Sequence, residues 1–91
     1  MPNQNQITVY STSNCPYCVA AKKLLSREGY AYSEIDVSTP ELRTMLVKKS
    51  QGRKTVPQIF IGALHVGGFD DLQTLYKKGD LADIMNDEAA S

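Results

Sequence analysis

The 91-residue sequence lacks several features that would point to particular classes of protein. Ten basic residues balance ten acidic ones, so the chain has no net positive field with which to bind nucleic acids or anionic membranes. No stretch approaches the ~20 apolar residues that cross a membrane. Positions 1–6 are polar and lack the charged start and apolar run of a secretory signal. These absences predict a cytoplasmic protein that binds neither nucleic acid nor membrane.

Cysteine and histidine are also scarce. The chain has two cysteines, Cys15 and Cys18, and one histidine, His65. A structural zinc site needs four ligands, so a single chain with these residues would have to add carboxylates, which such sites seldom use. A disulfide between residues three apart would close too small a loop to restrict the unfolded chain strongly. We therefore expect no metal site and no purely structural role for the cysteine pair.

Length and composition indicate one small globular domain. The chain is 42% hydrophobic and 22% charged, which is ordinary for a soluble domain. We find no internal repeat and no linker. The sequence therefore predicts a single domain over 1–91, with a structured core over about 7–85 and a flexible acidic tail over 86–91.

The first half of the chain alternates between strand and helix patterns. A β-branched run over 7–10 predicts a strand, and the pattern over 16–28 predicts a helix that ends at Gly29. A second strand is predicted over 30–37. A second helix starts at Pro40, and its apolar stripe is expected to lie in the core; the stripe consists of Leu42, Met45 and Leu46.

The second half predicts a hairpin followed by helix. Residues 58–61 and 64–66 have the composition of two short strands joined by a tight turn. Asp70 or Asp71 can cap a third helix, and a last helical turn covers 81–85. The order of elements predicts an α/β fold in which the first two strands are parallel and the last two antiparallel.

The two cysteines lie where the first strand gives way to the first helix. Thiolate is the reactive form of cysteine, and an ordinary thiol titrates at about 8.5. Unpaired N–H groups and the helix dipole would stabilise a thiolate at Cys15, and Pro16 suits the first helical position. Cys18 lies one turn further on the same face, so the pair can form and break a disulfide. This strand-turn-helix setting predicts dithiol redox chemistry in a thioredoxin-like arrangement.

Three motifs make the sequence resemble a known family, the dithiol glutaredoxins with a Cys-Pro-Tyr-Cys active site. They are Cys15-Pro16-Tyr17-Cys18, Thr55-Val56-Pro57-Gln58-Ile59-Phe60 and Gly67-Gly68-Phe69-Asp70-Asp71. The resemblance covers the chain from Ile7 to about Met85. It implies a thioredoxin-like fold with a four-stranded mixed sheet flanked by helices. It also implies a monomeric thiol-disulfide oxidoreductase that uses glutathione as reductant and acts on glutathionylated or disulfide-containing proteins.

The resemblance further implies roles for individual residues. Cys15 is the expected nucleophile, Cys18 the resolving thiol, and Pro57 a cis proline. The residues expected to bind glutathione are Tyr17, Arg53, Thr55, Val56, Pro57, Gly68, Phe69 and Asp70.

Physical arguments support these transfers, and each also has a plain structural alternative. The N–H groups at the start of the third helix suit a carboxylate of glutathione, and Asp70 suits its ammonium group. Arg53 or Lys54 could bind the glycyl carboxylate at the other end. The alternatives are that Asp70 only caps its helix and that the two cations only form a solvated loop. In the same way, Val56 could be only a core residue, Pro57 a trans proline at the start of a strand, and Gly67-Gly68 only a turn. His65 is expected to be structural.

The sequence departs from the usual pattern of the family at two positions. Thr12 stands where many members of the family have lysine, and Phe69 where a small residue or cysteine is common.

A thioredoxin-type reductase recycled by a flavoprotein is one alternative function, which the lack of tryptophan beside the cysteines disfavours. An iron-sulfur cluster carrier shared between two subunits is the other, which Pro16 disfavours because it stiffens the loop.

Overall fold

The structure, a computed structural model, describes residues 6–53, 55–62 and 64–85. The described residues include one four-stranded sheet, whose strands are β1 (Ile7–Ser11), β2 (Tyr32–Asp36), β3 (Gln58–Ile61) and β4 (Leu64–Gly67). The strand order is β2-β1-β3-β4. β1 is parallel to β2 and antiparallel to β3, and β3 and β4 form an antiparallel hairpin. This is the mixed sheet that the sequence predicts.

The described helices are α1 (Pro16–Arg27), α2 (Pro40–Lys49), α3 (Phe69–Lys78) and α4 (Asp80–Met85). α1 and α2 both start with proline, whose missing N–H costs nothing at the first helical position. None of the helices in the described ranges has the length and apolar character needed to cross a bilayer. The tail predicted over 86–91 lies outside the described residues, and the single domain over 1–91 stays a prediction.

The second strand is shorter than the sequence predicts. β2 does not include Tyr30, because this residue closes the turn that follows α1: its N–H donates to the Leu25 carbonyl at 2.9 Å. At the other end the paired residues stop at Ser11 and Asp36. The strand predicted over 30–37 therefore included residues that belong to the turns before and after β2.

The two faces of the sheet bury different amounts of apolar surface. One face packs against α1, α3 and α4 through a cluster of nine buried residues, which are Ile7, Val9, Ala21, Leu24, Leu25, Ile59, Ile61, Leu72 and Leu81. The other face holds a smaller cluster, which is Tyr10, Val37, Leu46 and Phe60. The main core therefore lies beneath the helix that carries the cysteines.

The predicted burial of the α2 stripe is wrong for two of its three residues. Leu46 is 1% exposed, but Leu42 and Met45 are 36% and 41% exposed. The small cluster on this face accepts one side chain from α2, and the neighbouring turns of the helix lie toward solvent. Helical spacing predicted which face of α2 is apolar, but it could not predict how much of that face is buried.

The predicted cap of the third helix is also wrong. Gly68, not Asp70 or Asp71, occupies the N-cap position, and α3 starts at Phe69. Asp71 is the third helical residue, and its carboxylate accepts a hydrogen bond from the Gly68 N–H at 3.0 Å. Aspartate is favoured in the first turn as well as at the cap, so composition alone could not separate the two positions.

Candidate active site

Cys15 is the N-cap residue of α1, as the sequence predicts. Its backbone is extended, with φ −132° and ψ 101°, and Pro16 follows at the first helical position. The Cys18 N–H donates to the Cys15 Sγ at 3.1 Å. No acidic residue lies in the first turn of α1, all of whose residues are described. A sulfur in this position meets N–H groups and the positive end of the helix dipole, which favours its thiolate form.

The two cysteines form a disulfide in this structure, with their Cα atoms 5.1 Å apart. They differ in access to solvent, because Cys15 is 9% exposed and Cys18 is 1% exposed. Both cysteines are therefore largely buried, and Cys18 is the more deeply buried of the two. Of the two residues, Cys15 is therefore the one that an external thiol or disulfide can reach more easily.

The loop before β3 brings a backbone carbonyl beside this sulfur. The Val56–Pro57 peptide bond is cis, which confirms what the family resemblance implied. The Val56 carbonyl oxygen lies 3.6 Å from the Cys15 Sγ. A peptide that binds along this segment would therefore lie next to the reactive sulfur.

A cavity of about 240 Å³ opens in the same region. It is lined by residues from the start of α1, the loop before β3 and the start of α3, which are Tyr17, Arg53, Thr55, Val56, Pro57, Gly68, Phe69, Asp70 and Asp71. The eight residues that the resemblance assigned to glutathione binding are all among them. Lys54, the alternative cation, lies outside the described residues. The fold thus brings three separate sequence segments to one pocket suited to a small ligand.

Asp71 is a lining residue whose part in this pocket the sequence analysis missed. Its carboxylate accepts from the Gly68 N–H and lies 3.5 Å from the guanidinium Nη2 of Arg53. The pair joins the loop before β3 to the start of α3. The available signal was the acidic residue at the third position of the helix, from which a carboxylate can accept a hydrogen bond from the N–H of the N-cap residue.

Gly67 allows this arrangement. Its φ is +117°, a conformation that side chains rarely adopt, and an added Cβ would overlap the Asp71 carboxylate. A glycine is therefore needed at this position for the backbone and for the carboxylate beside it.

Two aromatic rings stand on the outer side of the pocket. The rings of Tyr17 and Phe69 are 6.3 Å apart between centroids and inclined by 30°. Tyr17 is 63% exposed, so a bound ligand or a partner protein can contact its ring. Together the rings give the pocket an apolar edge near the start of α1.

His65 lies on β4 and is not among the residues that line the pocket. Burial lowers the pKa of His65 from its ordinary value of 6.5, and the positive charge of Arg53 lowers it further while Asp71 opposes this effect. The Nε2 of His65 is 2.7 Å from the Gln58 Oε1. Within the described ranges, we find no group of three or more histidine, cysteine or acidic side chains that could bind a metal ion.

Comparison with known proteins identifies the family. The sequence profile of the glutaredoxins matches residues 7–66. The chain belongs to the glutaredoxin family. It is 49% identical over 84 residues to glutaredoxin 1 of Rickettsia conorii, covering 90% of this chain and 82% of that glutaredoxin.

Solved glutaredoxin structures have the same fold. The solution structure of glutaredoxin from Brucella melitensis superimposes with a TM-score of 0.80 at 46% identity, covering 92% of this chain and 91% of that one. A crystal structure of a buckwheat glutaredoxin-glutathione complex superimposes with a TM-score of 0.80 at 31% identity, covering 91% and 78%. The predicted thioredoxin-like fold is confirmed, and the chain is a thiol-disulfide oxidoreductase of the glutaredoxin class, whose members use glutathione as reductant.

Proposed function

We propose that this glutaredoxin removes glutathione from glutathionylated proteins and reduces protein disulfides, with Cys15 as nucleophile and Cys18 as resolving thiol. The observation that carries the proposal is the contact of 3.6 Å between the Cys15 Sγ and the Val56 carbonyl. It puts the sulfur of the less buried cysteine beside a segment that lines the cavity. The buried position of Cys18 favours a second attack from within the protein rather than a first attack on substrate.

The charges around the cavity suit the two ends of glutathione. The N–H groups at the start of α3 would donate hydrogen bonds to the γ-glutamyl carboxylate, and the Asp70 carboxylate would pair with the adjacent ammonium group. Arg53, whose side chain is 47% exposed, would bind the glycyl carboxylate. The Thr55–Val56 backbone would hold the cysteinyl part as a neighbouring strand does. The neighbouring buckwheat complex supports this choice of ligand.

The reaction consists of successive thiol-disulfide exchanges. The Cys15 thiolate attacks the glutathione sulfur of a mixed disulfide, which forms a Cys15-glutathione disulfide and releases the substrate as its thiolate. A second glutathione thiolate then attacks the bound glutathione sulfur, which releases glutathione disulfide and regenerates the Cys15 thiolate. Alternatively, the Cys18 thiolate attacks the Cys15 sulfur and expels glutathione, which gives the Cys15–Cys18 disulfide; two molecules of glutathione reduce it again.

Two substitutions test this assignment with a glutathionylated peptide, glutathione and glutathione reductase. The Cys18→Ser protein should still remove glutathione from the peptide, because the first route needs one cysteine. The Cys15→Ser protein should have no activity, because its remaining thiol is buried. If Cys15→Ser retained activity, the assignment of the nucleophile would be wrong.

The same assay and an anaerobic purification separate the two alternative functions. A thioredoxin-type enzyme would turn over with thioredoxin reductase and NADPH in place of glutathione, and this protein should not. A cluster carrier would show visible absorbance and a dimer after anaerobic purification. The cytoplasmic location, the monomeric state and the lack of nucleic-acid and membrane partners stay predictions.

A further inference from the structure

A chain of hydrogen bonds connects His65 with the loop that lines the cavity. The Nε2 of His65 is 2.7 Å from the Gln58 Oε1. The Gln58 side-chain amide donates to two oxygens of Thr55, the carbonyl at 3.0 Å and the hydroxyl at 3.2 Å. Thr55 directly precedes Val56, whose carbonyl faces the Cys15 sulfur. Only the Gln58 side chain therefore separates His65 from the Thr55–Val56 segment beside the nucleophile.

The donors and acceptors of these three residues allow only one arrangement of the hydrogen bonds. Gln58 is 0% exposed, so its polar atoms must find partners within the protein. Its amide nitrogen has two hydrogens, and both oxygens of Thr55 accept from it. Its amide oxygen must then face His65, which has to donate from Nε2. In the neutral ring this leaves Nδ1 without a proton.

Ring packing holds the histidine in this position. The His65 ring stacks on the Phe60 ring at 4.6 Å between centroids and an angle of 18°. The two residues are partners in the β3–β4 hairpin. Phe60 is 6% exposed and belongs to the smaller buried cluster, so the ring beneath His65 cannot move freely. The Nε2–H donor is thus held against Gln58 by stacking on one side and by strand pairing along β4.

We infer that His65 is a positioning residue for glutathione binding, because its Nε2–H fixes the Gln58 amide that holds the Thr55 carbonyl and hydroxyl. The inference rests on the proposed function, in which the Thr55–Val56 backbone binds the tripeptide. Without the histidine donor, the buried Gln58 Oε1 has no partner, so the amide is held only through its two bonds to Thr55 and no longer fixes the position of Thr55. The loop then loses its fixed approach to the Cys15 sulfur, while the sulfur and α1 stay as they are.

His65→Phe, His65→Gln and a control test this inference. Phenylalanine keeps a ring that can stack on Phe60 but has no donor, whereas the glutamine amide can reach the position of Nε2 and donate. The control is Leu64→Phe, which puts the same new ring on the adjacent β4 residue, where the side chain is 47% exposed. Each protein is assayed for kcat and KM with a glutathionylated peptide, and its reduced Cys15 is alkylated with iodoacetamide.

The inference predicts a change in KM alone. His65→Phe should raise the KM for the glutathionylated peptide by about threefold to tenfold, the range that one hydrogen bond's net contribution gives. Its kcat and its rate of Cys15 alkylation should match those of the wild type. His65→Gln should restore most of the KM, and Leu64→Phe should leave it unchanged. An unchanged KM in His65→Phe, or an equal increase in His65→Phe and His65→Gln, would overturn the inference.

A measurement on the unmodified protein checks the donor without any substitution. Nitrogen-15 NMR of the His65 ring should show the neutral form with its proton on Nε2. A proton on Nδ1 would contradict the arrangement even if the variants failed to fold. Failure of the proposed function has a different signature, because the wild-type protein itself would then show no turnover with the glutathionylated peptide.

Discussion

The ion pair between Arg53 and Asp71 leads to a specific prediction for Asp71→Asn. In the proposed complex, Arg53 binds the glycyl carboxylate of glutathione, so Asp71 competes with the ligand for the same guanidinium group. The two groups are 3.5 Å apart and their side chains are 47% and 50% exposed. Replacing the carboxylate by an amide removes the competing charge but leaves an oxygen that can still accept from the Gly68 N–H.

The exposure of the pair limits the size of the effect. Ion pairs open to solvent are worth about 0.2–1 kcal/mol, because water and salt screen them. Release of Arg53 should therefore lower the KM for a glutathionylated peptide by at most about fivefold. The decrease should shrink as the salt concentration rises. Unfolding in urea should show little change in stability for the same reason.

The assay is steady-state turnover with glutathione reductase at low and high salt. Its control is the same substitution in an Arg53→Gln background, where no cation remains for Asp71 to hold and the KM should hardly change. Arg53→Gln by itself should raise the KM. If Asp71→Asn raised the KM, or lowered it equally with and without Arg53, the competition between carboxylates would be refuted.

Three further predictions concern stability, each measured by urea unfolding. Gly67→Ala should lower the free energy of unfolding by about 1–3 kcal/mol, because φ is +117° and the new Cβ meets Asp71; an unchanged value would contradict this conformation. Leu46→Ala should lower it by about 2–5 kcal/mol and Leu42→Ala by less than about 1 kcal/mol, since only Leu46 is buried; equal losses would contradict the packing of α2. Burial lowers the pKa of His65, so the unfolded chain binds a proton at this residue more readily than the folded protein does. The stability contributed by neutral His65 is therefore complete above pH 6.5 and declines below it. This decline should be absent in His65→Gln, and its presence there would assign it to another group.

Short motifs allowed much of the site to be predicted. The placement of Cys15 at the start of α1 follows from four adjacent residues and the strand before them, so local sequence was sufficient. The relative directions of the paired strands also followed, because a helical crossover makes β1 and β2 parallel and a short hairpin makes β3 and β4 antiparallel. The cis Pro57 came from the family resemblance alone.

Contacts between distant segments were beyond sequence reasoning. The Arg53–Asp71 pair joins a loop to a helix 18 positions away along the chain (71 minus 53). The contact of His65 with Gln58 depends on the β3–β4 register, which has an irregularity between Ile59 and Phe60. A one-residue change of register would turn the histidine to the opposite face of the sheet.

The most direct test of the account is a single turnover of reduced Cys18→Ser protein with a glutathionylated peptide, analysed by mass spectrometry without added glutathione. The account predicts that the peptide is released as a free thiol while one glutathione becomes attached to Cys15. Release of the peptide without glutathione on Cys15, or attachment of the peptide itself in place of glutathione, would contradict it.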